Sequence, residues 1–204
     1  MTITLHHGDL PARPEGLSSI AVDTEAMGLV KGRDRLCLVQ LSSGDGTAEL
    51  VQVAVGQREA PNLSAIMADP AVEKLFHFAR FDMALIAATF GVMPAPVYCT
   101  KIASKLARTY TDRHGLKDLS RELVGEELSK REQSSDWGAP HLTDAQKAYA
   151  ASDVLHLHRI RAALDAILAR EARAELAARI FAFLPTRVEL DLVGWPDTDI
   201  FAHS

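Results

Sequence analysis

Two acidic residues, Asp23 and Glu25, directly follow the apolar run "SIAV" and are separated by a single residue. On a β-strand, residues i and i+2 point to the same face, so these carboxylates would lie side by side. Adjacent negative charges repel each other unless a cation lies between them. The pair therefore indicates either two solvated acids at the end of a strand, which is the commoner meaning of an isolated D-x-E, or two ligands of a shared cation.

Three further residues on predicted helices could contribute to the same chemistry. Asp82 falls in the first turn of a helix predicted for "RFDMALIAATF", where the helix dipole alone would favour a carboxylate. Asp153 and Tyr149 are four residues apart on another predicted helix and share one face. A tyrosine on a helix is more often a packing residue than a catalyst, but a buried aspartate needs a partner because an unpaired buried charge is costly.

The four carboxylates could converge on two divalent cations. Mg²⁺ and Mn²⁺ prefer oxygen ligands. Two such ions roughly 3.5–4 Å apart suit in-line attack of water on a phosphodiester. The phenol of Tyr149 could then orient or deprotonate the attacking water. This arrangement would also explain how Asp23 and Glu25 tolerate each other.

The elements that must position these residues are predicted to form an α/β layer structure with a mixed sheet. Five runs are β-like, and "SGDG" between the third and fourth is a good hairpin turn. The runs are "TITLHH", "SIAVDTE", "RLCLVQLS", "TAELVQV" and "VEKLFHF". Residues 142–170 are predicted to form one long helix that begins with a Thr143–Gln146 capping box, and Pro185 is predicted to end the last helix.

Composition limits the possible classes of protein. The 204 residues suffice for one substantial domain, and the net charge of −5 argues against non-specific wrapping of long nucleic acid. It does not exclude a small anionic substrate held by a few local cations. The sequence contains neither a bilayer-spanning segment nor a secretory signal, so no membrane partner is expected. Cys37 and Cys99 lie in apolar contexts and are predicted to be reduced core residues, which favours a cytoplasmic location.

Three short motifs resemble those of a known enzyme family. "VDTEAMGL", "HFARFDMAL" and "YAASDVLHL", in that order, resemble the three exonuclease motifs of the tyrosine-bearing (DEDDy) branch of the DEDD superfamily. The segment "HGLKDLSRELVGEELSKREQSSDW" is similar to the corresponding segment of the ribonuclease D family. Within that family, the compact chain and the run "FLPTRVELDLVGW" most resemble the nanoRNase C enzymes.

The resemblance implies a ribonuclease-H-like (DnaQ-like) α/β fold with a five-stranded mixed sheet flanked by helices. It implies a single 3′-5′ exonuclease domain over residues 1–204, and residues 185–204 are expected to form a docked apolar tail. The expected activity is hydrolysis of very short RNAs, chiefly dinucleotides, to nucleoside 5′-monophosphates with two Mg²⁺ or Mn²⁺ ions. A ring-like homo-oligomer, an octamer, is also implied.

The resemblance also assigns roles to residues of the three motifs. The implied metal ligands are Asp23, Glu25, Asp82 and Asp153, and Tyr149 is implied to position the attacking water. Leu29 occupies the position where relatives that cut short RNAs place an apolar wedge between the two terminal bases. Thr24 and Met27 of the first motif and His77 before the second are further expected substrate contacts; the alternative for His77 is a hydrogen-bonded core residue, and the motif match favours the contact.

Basic residues are concentrated between positions 101 and 117. Lys101, Lys105 and Arg108 have the i, i+4, i+7 spacing of one helical face, which is either a solvated face or a phosphate-binding surface. Hydroxyl donors to a terminal phosphate are expected from Ser104, Ser134 and Ser135. Trp137 could stack on a base, but packing is the commoner role for such a residue.

Two alternative functions are compatible with the same pattern. One is a broader, ribonuclease D-like exonuclease that acts on longer RNA or on DNA. The other is a non-catalytic nucleic-acid-binding module on the same fold, which should lack one or more of the acids. All four acids and the tyrosine are present, which favours catalysis.

Overall fold

The computed structural model describes residues 2–28, 34–129 and 131–203. The strands are β1 Thr2–His7, β2 Ser19–Ala26, β3 Leu36–Ser42, β4 Thr47–Gln52, β5 Glu73–Phe76 and β6 Val97–Cys99. The helices are α1 Pro61–Ala68, α2 Ala79–Phe90, α3 Thr100–Ala107, α4 Leu116–Leu119, α5 Asp144–Leu155, α6 Leu157–Arg170 and α7 Ala174–Leu192. A π-helical turn, Ser120–Val124, continues α4.

The strands form one mixed sheet in the order β1-β4-β3-β2-β5-β6. β2, β3 and β4 pair antiparallel, whereas β1 pairs parallel to β4, and β5 pairs parallel to both β2 and β6. The predicted mixed α/β architecture is confirmed, but the expected five strands are six. The additional strand, β6, is only three residues long, too short to show the alternating pattern by which strands are recognised in a sequence.

The central strand β3 is buried at every residue, because helices cover both faces of the sheet. On one face, Leu38 of β3 and Leu50 of β4 pack with Ala150 of α5. On the other face, Val39 and Val51 belong to the larger hydrophobic core. Helix α5 contacts strands β1 to β4, and α2 contacts β2, β3, β5 and β6. Both faces of β2 therefore meet a helix near the predicted acids.

The long helix predicted for residues 142–170 is two helices in the structure. The predicted capping box is present, since Thr143 and Gln146 exchange the reciprocal hydrogen bonds. The helix is interrupted at His156, whose φ of −106° and ψ of −5° depart from helical values. Apolar spacing continues through the interruption, with Val154 and Leu157 both buried, so the sequence pattern alone shows no break.

The prediction that Pro185 ends the last helix is wrong, because α7 continues through it to Leu192. An internal proline removes one helical hydrogen bond. Here Leu184 and Val188, on either side of it, are both buried and hold the two halves against the core. The expected tail therefore begins as helix, and the described residues 193–203 form its irregular part. No described helix is long and apolar enough to cross a membrane.

Lys74 of β5 is a fully buried cation that joins two loops to the sheet. Its Nζ donates hydrogen bonds to the carbonyl oxygens of Asp69 and Val72, both at 2.7 Å, and of Ala95 at 2.5 Å. A buried charge is tolerated when hydrogen bonds replace its hydration. Lys74 thereby holds in place the segment that precedes β5 and the segment that precedes β6.

We expect Lys74→Met to lower the free energy of unfolding by about 3 kcal/mol, because it leaves three buried carbonyl groups without a donor. Urea unfolding followed by circular dichroism measures this change. Lys105→Met is the matched control, since Lys105 is exposed and its replacement should change stability by less than about 0.5 kcal/mol. Equal effects of the two changes would contradict the structural role of Lys74.

Candidate active site

Strand β2 carries Asp23 and Glu25 on one face at the end of its pairing with β3. The strand register shifts between Glu25 and Ala26, and such a bulge redirects the chain. The side-by-side placement expected from the D-x-E spacing is therefore present. Asp153 of α5 joins them, and carboxylate oxygens of all three residues lie within 4.8 Å of one another. We call Asp23, Glu25 and Asp153 the acidic triad.

Asp82 lies behind the acidic triad in the first turn of α2, where it is only 3% exposed. The hydroxyl of Thr24 donates a hydrogen bond of 2.6 Å to its carboxylate. Thr24 also lines the cavity, so its predicted contact with substrate stays a prediction, although the one proton of its hydroxyl is committed to Asp82. Thr24 thus links the motif on β2 to the motif on α2.

The turn before α2 contains a strained residue. Phe78 has a φ of +73°, a left-handed conformation that is unusual for a bulky side chain. The left-handed conformation of Phe78 allows α2 to begin soon after β5 ends. Asp82 therefore lies only a few residues beyond the end of β5. The ring of Phe78 lies against Lys101, with Nζ 4.5 Å from the ring centroid.

Tyr149 lies on the same face of α5 as Asp153, and its hydroxyl is hydrogen-bonded to that carboxylate. Its ring lies against the buried ring of Trp137, with centroids 6.0 Å apart and planes inclined by 37°. Trp137 is therefore a packing residue, as its type predicted, and it limits the positions that the Tyr149 ring can adopt.

The acids strongly perturb one another. Burial raises the pKa of Asp23 to about 7. Burial, and then repulsion from Asp23, Asp153 and Asp82, raises the pKa of Glu25 to about 9. Burial and the charge of Asp23 raise the pKa of Asp82 and of Asp153 well above the ordinary range. Burial and the same negative charges raise the pKa of Tyr149, so its phenol stays protonated.

A cavity of about 700 Å³ opens in front of the acidic triad. It is also lined by Lys101 and Lys117, by the segment that contains Ser134 and Ser135, and by Met27, which is 54% exposed. These residues are consistent with contacts to a substrate, as predicted for all of them except Lys117. The hydroxyl of Ser135 donates to Glu132 at 2.5 Å, whereas Ser134 is exposed.

The serine-bearing segment is held to the domain by hydrogen bonds to its backbone. Gln146 donates to the carbonyl of Asp136 at 3.1 Å, Gln52 to that of Ala139 at 2.9 Å, and Arg35 to that of Gly138 at 3.3 Å. Trp137 packs into the core between these contacts. We call residues 133–139 the serine wall.

His77 lines the same cavity at the end of β5. Its Nδ1 lies 2.9 Å from the hydroxyl of Thr100, which itself donates to the carbonyl of Phe76 at 3.2 Å. Nδ1 is therefore the donor to Thr100, and Nε2 is left as an acceptor. Burial, and then the charge of Lys101, lowers the pKa of His77 to about 3, so the ring is neutral.

Two predictions for the basic segment, those for Ser104 and Arg108, are corrected, and that for Lys105 stays a prediction. Ser104 is fully buried; its hydroxyl lies 2.8 Å from Nδ1 of His114 and accepts a hydrogen bond from Arg108. Arg108 is also fully buried and is paired with Glu122, so it does not share an exposed face with Lys101. Lys105 is exposed but does not line the cavity. Leu29, the expected wedge, lies outside the described residues.

Sequence reasoning missed several cavity-lining residues, among them the polar residues Lys117, Asp118, Ser129 and Gln133. Lys117 belongs to the basic run between positions 101 and 117, which could have indicated it. Gln133 directly precedes the predicted serines, but its residue type carries no separate signal.

The donor set suits a hard divalent cation. The acidic triad offers only carboxylate oxygens, which Mg²⁺, Mn²⁺ and Ca²⁺ prefer over the nitrogen and sulfur ligands typical of zinc sites. The raised pKa values show that the acids lack a compensating positive charge at close range. A bound cation would supply that charge.

The chain matches, over residues 8–169, a protein-family model described as 3′-5′ exonuclease. The chain belongs to this family of 3′-5′ exonucleases. Ribonuclease D of Acidiphilium cryptum is 38% identical to it over 165 residues, which confirms the resemblance seen in the motifs. That match covers 81% of this chain but only 42% of the relative, so the chain spans well under half the length of the curated relatives.

Solved structures give closer matches to this exonuclease. Brucella melitensis NrnC bound to pGG superposes with a TM-score of 0.97 at 56% identity, over 100% of both chains. Brucella melitensis NrnC with bound Mg²⁺ superposes with a TM-score of 0.96 at 55% identity, again over 100% of both chains. Escherichia coli RNase D has a TM-score of 0.77 and 28% identity, covering 89% of this chain and 48% of that one.

The acidic triad makes a prediction about the metal-free protein. The pKa of Asp23 rises from its ordinary 3.8 to about 7 on folding, so the folded state binds this proton more tightly than the unfolded state. Its contribution to stability is present below about pH 4 and is lost as the pH rises through about 7. We expect Asp23→Asn to raise the melting temperature of metal-free protein by about 2–8 °C at pH 8, and by less at pH 5.

Differential scanning fluorimetry in chelator at both pH values measures this difference. Asp112→Asn is the matched control, because Asp112 is exposed and should show no such gain. Added Mn²⁺ should reverse the order by stabilising the wild type more than Asp23→Asn. A lower melting temperature of metal-free Asp23→Asn at pH 8 would show that the acids do not repel as inferred.

Proposed function

We propose that this chain is a metal-dependent 3′-5′ exoribonuclease that hydrolyses very short RNAs, chiefly dinucleotides, to nucleoside 5′-monophosphates. The observation that carries the proposal is the convergence of the acidic triad and Tyr149 on one cavity that is also lined by lysines and hydroxyls. Full-length similarity to Brucella melitensis NrnC bound to pGG supports the substrate class, since pGG denotes two guanosines with a 5′ phosphate.

The residues that would hold divalent cations are the acidic triad and Asp82. The Mg²⁺-bound structure of Brucella melitensis NrnC supports the use of a divalent cation, and we extend this to two ions, Mg²⁺ or Mn²⁺. Bound there, the cations would supply charge stabilisation for attack of water on the phosphodiester and for the leaving oxygen. Asp82, held by Thr24, would complete the oxygen ligands from behind.

Tyr149 is suited to hold the attacking water at the edge of the acidic triad. Its phenol is neutral and hydrogen-bonded to Asp153, so its position is fixed from one side by a carboxylate and from the other by Trp137. A fixed hydroxyl can orient a water molecule without itself changing charge. This role requires the hydroxyl group and not merely the ring.

The preference for dinucleotides is supported by the size of the cavity and by the charge of the chain. A cavity of about 700 Å³ falls in the range that encloses small-molecule ligands. The net charge of −5 disfavours the many phosphate contacts that longer RNA would need. Lys101 and Lys117 provide two local cations, which is enough for a short anionic substrate.

A broader exonuclease is the second candidate. It is favoured by similarity to Escherichia coli RNase D, an exoribonuclease involved in structured RNA processing, although this chain covers only 48% of that one. Processing of long RNA should depend steeply on salt, because each phosphate contact releases counterions. Dinucleotide hydrolysis should show a shallow salt dependence.

We also propose that the protein acts in the cytoplasm as a homo-oligomer, an octamer by resemblance. Large apolar side chains of the last part of the chain are exposed: Val193 by 66%, Trp195 by 47%, Ile200 by 47% and Phe201 by 77%. Exposed apolar groups concentrated in one segment are typical of contact surfaces. A second copy of the chain would cover them.

The substrate prediction is tested with 5′-labelled RNAs of two, three, five and seven nucleotides, each with Mg²⁺, with Mn²⁺ and with chelator. We expect rapid loss of the dinucleotide, slow loss of the longer RNAs, and no cleavage in chelator. Similar rates at all lengths would favour the broader exonuclease. Persistence of the dinucleotide under all conditions would favour a binding module that lacks catalysis.

We expect Tyr149→Phe to lower kcat about 10²–10⁴-fold with KM changed less than about threefold, because only the hydroxyl that holds the water is lost. Initial rates on the dinucleotide measure both constants. Tyr110→Phe is the matched control, since Tyr110 is 76% exposed and should retain wild-type kinetics. Wild-type kinetics of Tyr149→Phe would show that Tyr149 is a packing residue.

A further inference from the structure

Gln40 is a buried polar residue outside the acidic triad. It lies in the middle of β3 with an exposure of 0%, and neither its Oε1 nor its Nε2 has a hydrogen-bond partner among the described residues. A buried amide without a partner costs roughly 1–3 kcal/mol. Such groups are rare in folded proteins and call for an explanation.

The position of Gln40 in the sheet provides one. Gln40 is the direct antiparallel partner of Asp23, and its neighbour Leu38 is the partner of Glu25. Directly opposed residues share a face, with Cβ atoms about 4.5–5.5 Å apart. The amide of Gln40 therefore lies on the face of the sheet that carries the acidic triad.

Apolar side chains lie next to Gln40 on the part of that face away from the acids. On the second strand that neighbours β3, which is β4, Gln40 is paired with Leu50. Leu50 packs with Ala150 of α5 and with Leu38. The polar side chains that β2 and α5 bring to the same layer are those of the acidic triad and Tyr149. The Oε1 of Gln52 on β4 is a second buried acceptor on this face, but Asp23 is the acceptor directly opposite Gln40.

We propose that Gln40 is a positioning residue for Asp23. Its amide N–H would donate to one buried water, and that water would donate to a carboxylate oxygen of Asp23. Carboxylate ligands are commonly held in this way by hydrogen bonds from behind, and loss of such a partner typically weakens metal binding 10–100-fold.

The neutrality of the amide fits this role. A lysine or arginine at position 40 would neutralise Asp23 and reduce its attraction for a divalent cation. An amide orients the carboxylate and leaves its charge intact. The inference rests on the proposed metal-dependent function, because it concerns how the first metal ligand is held.

The test replaces Gln40 with methionine, which has a similar volume and no amide. We expect the Mn²⁺ affinity of Gln40→Met to fall about 10–100-fold, as measured by electron paramagnetic resonance of free Mn²⁺. We expect metal-free Gln40→Met to retain the circular dichroism spectrum and the cooperative thermal unfolding of the wild type, which would show that the loss of affinity does not arise from misfolding. On the dinucleotide, kcat should fall more than KM changes.

Leu38→Met is the matched control, since Leu38 lies on the same strand and face, is equally buried and has no amide. It should bind Mn²⁺ like the wild type. Gln40→Asn is the second variant: it keeps a buried amide but withdraws it by one methylene, so it should also bind Mn²⁺ weakly.

Mn²⁺ affinity of Gln40→Met or Gln40→Asn within twofold of the wild type would overturn the role of Gln40 and leave the proposed function intact. An equal loss in Leu38→Met would also overturn it, because packing alone would then explain the effect. Failure of the wild type itself to bind Mn²⁺ would instead refute the proposed function. If Gln40→Met does not fold, Gln40→Asn alone decides the question.

Discussion

Repulsion among three carboxylates is the constraint on which the rest of the structure depends. Asp23, Glu25 and Asp153 present oxygens within 4.8 Å of one another, and burial, together with repulsion from the neighbouring acids, raises the pKa of Glu25 to about 9. A flexible chain would separate these groups. They remain together because β2 belongs to the centre of a six-stranded sheet and α5 is packed across four of its strands. The stability of the scaffold thus maintains a site that is unfavourable without a cation.

Two buried cations stabilise the scaffold at a distance from the acids. Lys74 binds three backbone carbonyls near β5, and Arg108 joins α3 to Arg113 and to Glu122 of the π-helical turn. Neither cation neutralises the acidic triad, and each is satisfied by local acceptors. Positive charge that is needed for folding is therefore kept apart from the negative charge that would bind a metal. Lys101 and Lys117 remain on the cavity surface, where a phosphate could meet them.

How far the sequence predicts this molecule depends on the range of the interactions involved. The D-x-E pair and the Tyr149–Asp153 pair are fixed by strand and helix periodicity, so their geometry was predictable. The environments of Ser104 and Arg108 were not, because spacing on α3 shows which residues share a face but not whether that face is covered. Arg108 and Glu122 are 14 residues apart in the sequence, so no local pattern predicts their contact.

The same distinction explains the errors in secondary structure. Pro185 has a strong local preference against a helix interior, but the buried residues on both sides of it belong to one continuous helical face. Tertiary packing therefore prevails over local preference. At His156 the reverse holds, because buried apolar spacing continues while the backbone leaves the helix. A sequence pattern records which residues are buried more faithfully than where a helix is interrupted.

The serine wall connects these arguments to substrate length. Three side chains, Gln52, Gln146 and Arg35, hold its backbone, and Trp137 fixes it in the core beside Tyr149. These contacts restrain the serine wall where it lines the cavity. In the proposed function, selection of short RNA would therefore depend on the part-buried contacts that hold the wall. Charge at the cavity surface would then orient the substrate, while packing behind the wall sets its length.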